Sequence, residues 1–116
     1  MKFRRVHHVA VNVADVQEAR RFYVELLGLP EMPRPDFGFP GVWLDAGEQE
    51  LHLLQSDESP AHGQHFAFEV EDIEATLSDL ATRGVKPVGR LDIPGAGRQA
   101  FIRDPFGNMI ELNEPN

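Results

Sequence analysis

The two halves of the chain begin with the same pattern, and this internal repeat constrains the fold more than any other feature. Residues 8–15 read His-Val-Ala-Val-Asn-Val-Ala-Asp, and residues 65–72 read His-Phe-Ala-Phe-Glu-Val-Glu-Asp. Both alternate with the period of two that is typical of a strand with one buried face. The final aspartate precedes a stretch with helical spacing that ends at a glycine, Gly28 or Gly84. The repeat therefore predicts two similar modules, each starting with a strand and a helix.

The remainder of each half consists of extended segments separated by turn residues. In the first half, the proline-rich and glycine-containing segment 29–41 predicts an irregular loop before a hairpin around residues 46–48. The second half ends in a hairpin whose turn, residues 104–107, reads Asp-Pro-Phe-Gly, as a type I turn prefers. The predicted order is one strand, one helix and three strands, twice.

These elements predict an α+β fold of two tandem βαβββ modules within a single domain of residues 1–116. The modules span about 1–56 and 64–116, and a polar linker at about 57–63 joins them. Each helix follows its strand closely, so we expect it to pack on the Val or Phe face of that strand. The histidine faces then lie on the opposite side of the sheets.

Four side chains with metal-binding chemistry recur at matching positions of the two halves. His52 lies 44 residues after His8, and Glu111 lies 46 residues after His65. Alternation along the strands puts all four on the side that faces away from the helices. Imidazole nitrogen and carboxylate oxygen suit a divalent transition metal such as Zn, Ni, Fe, Mn or Co. The sequence therefore predicts a metal site made of His8, His52, His65 and Glu111.

The two other histidines are interpreted as structural or solvated. His7 points to the helix side of its strand, and His62 falls in the polar linker. A single histidine on a strand is more often a surface residue than a ligand. Metal coordination is favoured for the four candidate ligands because they match in position and in strand face across both halves.

Composition excludes several classes of partner. The formal net charge of −8 disfavours nucleic acid, because an acidic surface repels its phosphates. No apolar run approaches the ~20 residues of a membrane span, and the first residues lack the apolar stretch of a signal peptide. The sequence contains no cysteine, which excludes thiolate ligands and disulfides, and a cytoplasmic location is expected.

Five segments resemble the vicinal oxygen chelate superfamily: residues 8–15, 21–29, 50–54, 65–70 and 104–112. This superfamily includes glyoxalase I, extradiol dioxygenases, fosfomycin-resistance thiol transferases, methylmalonyl-CoA epimerase and bleomycin-resistance proteins. The resemblance covers essentially the whole chain. It implies a cup-shaped mixed β-sheet with the helices on its outer face and a metal held inside by the same four side chains. It also implies a small-molecule substrate and a homodimer, with modules paired within one chain or swapped between two.

The resemblance and the ligand set predict a metal-dependent enzyme of the glyoxalase-like class. It would be a lyase or isomerase in which a Lewis-acid metal stabilises an enediolate at two adjacent substrate oxygens. Glu111, the only carboxylate among the four ligands, is the candidate catalytic base; Glu50 and Glu69 share the ligand faces of their strands and are secondary candidates. Glyoxalase I usually carries glutamate at the position of His52, which argues against a strict glyoxalase I.

Two other functions stay open. One is an extradiol-type dioxygenase that uses Fe(II) or Mn, and the other is a non-catalytic protein that sequesters a drug or metabolite, as bleomycin-resistance proteins do. Substrate contacts are predicted at four side chains. Phe37 and Phe39 would give the cup an apolar cover. The guanidinium groups of Arg34 and Arg98 could each donate two parallel hydrogen bonds to an anionic substrate group.

Overall fold

The structure is a computed structural model that describes residues 1–61 and 63–116 of the chain. The chain divides into two compact units, Met1–Pro60 and Ala61–Asn116. The boundary falls inside the segment 57–63 that the sequence assigns to a linker, and His62 lies outside the described residues. That the two modules make a single domain stays a prediction.

The first unit contains one strand, one helical stretch and three further strands. Strand β1 (His8–Val13) leads into helix α1 (Val16–Arg20), which continues directly as a π-helical segment (Arg21–Leu26). The strands that follow are β2 (Glu31–Met32), β3 (Gly41–Ala46) and β4 (Gln49–Gln55). All four strands form one mixed sheet in the order β1-β4-β3-β2, in which only the β1–β4 pair is parallel.

The second unit repeats this arrangement. Strand β5 (His65–Glu69) is followed by helix α2 (Ile73–Thr82) and by strands β6 (Gly89–Ile93), β7 (Gly97–Arg103) and β8 (Met109–Glu114). The sheet order is β5-β8-β7-β6, and β5 runs parallel to β8. Two βαβββ units with mixed sheets confirm the predicted α+β fold class.

Both helical stretches start and stop at the residues that the sequence indicates. Oδ1 of Asp15 accepts hydrogen bonds from two backbone N–H groups of the first turn of α1, and Oδ1 of Asp72 accepts one in α2. Gly28 and Gly84 follow the last turns with φ of +83°, a conformation that glycine adopts without steric cost. Among residues 1–61 and 63–116, no helix has the length and apolar character needed to cross a membrane.

The first of the three strands that the predicted order requires after the helix lies in the proline-rich segment, which the sequence assigns to an irregular loop. β2 pairs antiparallel with β3, with Glu31 opposite Leu44 and Met32 opposite Trp43. Pro30 and Pro33 flank β2, and a proline has no N–H group to donate to a neighbouring strand. The two prolines therefore account for a strand of only two residues.

The two hairpins differ in how closely they follow the prediction. The β3–β4 turn is one residue shorter than the predicted 46–48 turn, because Ala46 pairs with Gln49 and leaves only two residues between them. The β7–β8 turn has the predicted form, since the N–H group of Gly107 donates to the carbonyl oxygen of Asp104 at 3.1 Å. The turn length matters because it decides which side chains lie opposite each other across the hairpin.

In each unit the helix packs on the sheet, and the apolar strand residues are buried against it. α1 contacts β3 and β4, and α2 contacts β7 and β8. In β4, Leu51 and Leu53 are at most 2% exposed, and in β8, Ile110 and Leu112 are at most 4% exposed. These are the positions that the sequence assigns to the helix side. The alternate positions, which include the candidate ligands, therefore face away from the helices.

Candidate functional site

In the second unit, the structure brings His65 and Glu111 together. Ala67 of β5 lies beside Glu111 of β8, so His65, two residues before Ala67, is on the same face of the sheet. Nε2 of His65 lies 3.1 Å from Oε1 of Glu111, and the two side chains are 39% and 11% exposed. The pair is in hydrogen-bond contact, with the imidazole open to solvent and the carboxylate largely shielded.

Neighbouring groups hold this pair in place. Nδ2 of Asn113 donates a hydrogen bond to Oε2 of Glu111 at 2.8 Å and lies 3.2 Å from the carbonyl oxygen of Ala96. Nδ1 of His65 lies 3.2 Å from the carbonyl oxygen of Gly63. Because a carbonyl oxygen only accepts, Nδ1 is assigned the N–H group at this contact. Nε2 is then the nitrogen of His65 that can coordinate a metal.

In the first unit, three aromatic rings form a stack. The His52 ring lies between those of Trp43 and His8, with centroid separations of 4.3 Å and 4.0 Å and interplanar angles of 8° and 16°. Nε2 of His52 also lies 2.9 Å from Oε1 of Glu50. The structure therefore places His8 and His52 on one face of the sheet, with His52 buried between two rings.

The surroundings of this stack lower the pKa of two groups. A hydrogen bond from His52 is the main cause that lowers the pKa of the Glu50 carboxyl. Desolvation of its ring is the main cause that lowers the pKa of His8, and the nearby rings of His52 and His7 lower it further. His8 is therefore neutral at neutral pH, which is the form in which imidazole binds a metal.

The donor atoms of the second unit fit a divalent ion. Nitrogen and oxygen ligands about 2.0–2.2 Å from a tetrahedral ion lie about 3.3–3.6 Å apart. The 3.1 Å between Nε2 of His65 and Oε1 of Glu111 is close to this spacing, so both atoms could bind one cation after a small movement. His65 and Glu111 are the residues of this unit that would hold it.

His8 and His52 of the first unit could bind the same ion only after their rings rotate. The nitrogen lone pairs of imidazole lie in the ring plane, so two stacked rings direct them side by side rather than at one point. His8 would have to turn, and His52 would have to exchange its contact with Glu50 for the ion. Within either unit, no three His, Asp or Glu side chains among residues 1–61 and 63–116 are grouped as a metal site. That all four predicted ligands bind one ion stays a prediction.

Arg98 does not share the face of His65 and Glu111 in its unit. Phe101 pairs with Glu111, and its ring lies 5.9 Å from that of His65, so the odd-numbered positions of β7 are on the ligand face. Arg98 therefore points to the helix side, where its Nη2 lies 3.1 Å from Oε1 of Glu74. The same carboxylate oxygen also accepts a hydrogen bond from Arg90.

We expect replacement of Arg90 by glutamine to raise the pKa of Glu74 more than replacement of Arg98 does. The hydrogen bond from Arg90 is the largest cause that lowers the pKa of this carboxyl. A carboxyl with a lower pKa in the folded state adds stability above its unfolded pKa and loses it as the pH falls through the folded pKa. The side chain is 57% exposed, so the gain in stability is small, and NMR titration of the Glu74 carboxyl carbon is the direct measurement. A larger change with Arg98→Gln would contradict the assignment.

The aromatic residues of the proline-rich segment lie beside the ring stack of the first unit. The Phe37 ring is 5.9 Å from Trp43 and 6.1 Å from Phe39, and the two phenylalanines are 52% and 45% exposed. The guanidinium carbon of Arg34 lies 4.9 Å from the Phe37 ring centre and 5.0 Å from that of Phe39. Phe37 therefore extends the aromatic surface formed by Trp43 and His52, and Arg34 packs on both phenylalanine rings.

Three residues that contact the candidate ligands are not among the predicted site residues. They are Trp43, which stacks on His52; Phe101, which contacts His65; and Asn113, which binds Glu111. Asn113 could have been found, because it lies two residues after Glu111 and so on the same face of β8. Trp43 and Phe101 lie opposite His52 and Glu111 across their hairpins, and finding them requires the turn lengths.

The chain matches known proteins over nearly its whole length. Residues 5–112 match the family model described as "Glyoxalase/Bleomycin resistance protein/Dioxygenase superfamily". The mitochondrial methylmalonyl-CoA epimerase of Bos taurus is 30% identical over 95% of this chain and 74% of its own length. A protein of Bacillus anthracis assigned to the glyoxalase family has a TM-score of 0.90 at 30% identity, covering 100% of this chain and 98% of its own.

A second solved structure is similar in the same way. TnmS3, an antibiotic binding protein from Streptomyces sp. CB03234, has a TM-score of 0.85 at 29% identity, covering 100% of this chain and 99% of its own. The paired βαβββ units, the histidine at the start of each first strand and the family match agree. This chain therefore belongs to the glyoxalase/bleomycin resistance protein/dioxygenase superfamily.

Proposed function

We propose that this chain is a metal-dependent, glyoxalase-like enzyme, a lyase or isomerase acting on a small substrate with two adjacent oxygen atoms. The observation that carries the proposal is the contact between His65 and Glu111, which places two ligand atoms 3.1 Å apart at a partly open surface. His8 and His52 occupy the corresponding strands of the first unit, and the similarity to an epimerase supports an isomerase. A homodimer and a cytoplasmic location belong to the same proposal.

The proposed ion is divalent Zn, Ni, Fe, Mn or Co, bound by His8, His52, His65 and Glu111. When bound, it would act as a Lewis acid on the two substrate oxygens. His65 contributes Nε2, with its ring oriented through the contact of Nδ1 with Gly63. The neutral state of His8 favours coordination at neutral pH.

Glu111 is the residue we assign to proton transfer. Asn113 holds Oε2, so Oε1 is the atom that would take a proton from a substrate carbon, and it would do so after leaving the metal. Glu50 is a weaker candidate base, because its hydrogen bond with His52 lowers the pKa of the carboxyl and so reduces its basicity. Phe37, with Trp43, would supply an apolar wall beside the substrate.

The proposal is tested by metal uptake and proton exchange. Purified protein is stripped of metal, dialysed against each of the five ions, and incubated in D₂O with small α-hydroxy ketones and 2-oxoaldehyde thiol adducts. We expect one ion to bind per pair of units and to enable deuterium incorporation next to the carbonyl carbon. Glu111→Gln should reduce exchange by at least about 100-fold, the usual scale of a lost general base. Glu25→Gln, an equal charge change on an exposed helical residue, should leave it unchanged.

Other outcomes would select against this reaction. Oxygen consumption with catechols and Fe(II) or Mn, without proton exchange, would identify a dioxygenase instead. Failure to take up any of the five ions would overturn the metal-dependent proposal altogether.

A second candidate is a non-catalytic protein that binds a drug or metabolite. The stack of Trp43, His52 and His8, extended by Phe37, is an aromatic surface on which a planar ligand could stack. The similarity to an antibiotic binding protein supports this reading. Binding of a planar aromatic ligand by metal-free protein, lost in Trp43→Ala, would favour it.

A further inference from the structure

Arg34 carries two nitrogen atoms that no described residue satisfies. Its Nη1 donates a hydrogen bond to the carbonyl oxygen of Phe39 at 3.1 Å. Its Nε and Nη2 are buried and have no hydrogen-bond partner among residues 1–61 and 63–116. A buried donor without an acceptor is costly, and more so when it belongs to a charged group. An acceptor from outside this unit would remove that cost once a movement of the side chain opens these two atoms to it.

The two unsatisfied atoms have a specific geometry. Nε and Nη2 form one edge of the planar guanidinium, and their two N–H groups run nearly parallel. This edge matches the two oxygens of a carboxylate, which accept both hydrogen bonds side by side. The missing partner is therefore a planar group with two acceptor oxygens, rather than a single carbonyl.

Two aromatic rings and the backbone of a glycine pack around the guanidinium, and both rings lie on the same side of it, because their centres are only 6.1 Å apart. Phe37 and Phe39 lie against Arg34, with ring centres 4.9 Å and 5.0 Å from its Cζ. A Cβ atom added to Gly41 would lie 2.8 Å from Cζ and from Nε of Arg34. Glycine at this position is what lets the guanidinium lie against the β3 backbone. The packing holds the plane of Arg34 in one orientation.

A cavity of about 410 Å³ adjoins Arg34 and Gly41, bounded also by the start of α1 and by Gln55. This volume is within the usual range of small-molecule pockets. The other charges on its wall are already engaged. Arg20 forms two hydrogen bonds with Glu31, and Oδ1 of Asp15 caps α1. Arg34 is left as the cation of the cavity without a carboxylate partner among the described residues, which suits a ligand with a single negative charge.

This cavity is separate from the histidines of the same unit. It lies where β1 ends, next to Asp15, whereas His8 is the first residue of β1. Five residue steps along a strand span about 16 Å. His8 is therefore remote from Arg34 and no described histidine lines the cavity, whereas Phe37, on which Arg34 packs, lies 5.9 Å from Trp43 of the ring stack.

We propose that Arg34 is the anchor of a second binding site that accepts the carboxylate of a small organic monoanion, bidentately through Nε and Nη2. The site does not depend on the metal or on the proposed reaction. Metal-free protein therefore tests it independently of the proposed function.

The experiment follows the Arg34 Nε–H resonance by NMR while sodium acetate is added at constant ionic strength. We expect a saturable shift of this resonance, with sodium chloride giving none. Arg34→Lys keeps the charge but loses the two parallel N–H donors of the guanidinium. Calorimetric titration of this variant should then show acetate binding at least about tenfold weaker than in the wild-type protein. Arg20→Lys, which alters a cation of the same cavity already paired with Glu31, should keep wild-type affinity within about twofold.

Several results would overturn the proposal. They are the absence of a saturable Arg34 shift in the wild-type protein, equal acetate affinity of Arg34→Lys, or tighter binding of inorganic phosphate than of acetate. Gly41→Ala gives a second check, because its methyl group would displace the guanidinium and should abolish binding. That methyl group also lies 2.7 Å from the carbonyl oxygen of Leu53, so if this variant fails to fold, the wild-type and Arg34→Lys titrations decide.

Discussion

Replacing His65 by alanine should weaken divalent-metal binding at least about tenfold, because it removes a side chain that binds the ion directly. Loss of a side chain that only orients such a ligand already lowers metal affinity about 10–100-fold. The remaining atom of the pair, Oε1 of Glu111, would lose its contact with the imidazole. The His65 side chain is 39% exposed, so its removal leaves no large cavity and the fold should persist. Competition of each variant with a chromogenic chelator gives the affinity.

A matched control separates coordination from a general effect on the sheet. Gln99 pairs with Asn113, on the same face of the sheet as His65, and its Nε2 lies 3.5 Å from the carbonyl oxygen of Ala96. Gln99→Ala should therefore keep wild-type metal affinity. Equal affinities of His65→Ala and the wild-type protein would rule out this histidine as a ligand, and with it the ligand set as proposed.

Replacing Gly97 by alanine should destabilise the protein by about 2–5 kcal/mol, the sum of the cost of a left-handed backbone and the cost of a steric overlap. Gly97 begins β7 with φ of +89°, and an added Cβ would lie 2.6 Å from the carbonyl oxygen of Glu114. That oxygen belongs to the backbone of β8, so it cannot move aside as a side chain would. Urea denaturation followed by circular dichroism measures the loss.

Gly95 provides the control for the backbone contribution. It has φ of +87°, and an added Cβ would meet nothing within 4 Å. Gly95→Ala should therefore cost only about 1–2 kcal/mol, the usual penalty of this conformation. If the two variants lose the same stability, the close approach of Gly97 to β8 does not contribute. A Cβ on Gly97 would also lie 3.2 Å from Oδ1 of Asn113, so the Gly97 variant should weaken metal binding as well.

The elements that could be predicted from the sequence are those set by local interactions. Asp15 and Asp72 cap their helices through backbone groups two or three residues away, and Gly28 and Gly84 end the helical stretches through their own φ angle. Alternation within a strand is equally local. It places His65 and Glu111 on the side of their strands that faces away from the helices without knowledge of the strand order.

The features that could not be predicted depend on distant pairing. β2 exists because two residues between prolines meet β3, more than ten residues later, and nothing within the segment itself favours a strand. Trp43 lies opposite His52 only if the β3–β4 turn has two residues. The predicted three-residue turn shifts the pairing by one position, which turns a facing side chain to the other side of the sheet.

Arg98 illustrates the same limit within the candidate site. Its residue type suits an anionic substrate group, but its face is fixed by the register between β7 and β8. That register turns it toward Glu74 on α2. Arg34, in contrast, lies in an irregular segment where no periodicity applies, and only the structure shows its unsatisfied edge.

The ring stack of the first unit gives this chain a built-in optical probe. Trp43 is the only tryptophan in the sequence, and its indole lies flat on the imidazole of His52. Emission from that indole is sensitive to protonation or coordination of the ring it touches. Fluorescence would therefore report events at this ring stack without a label.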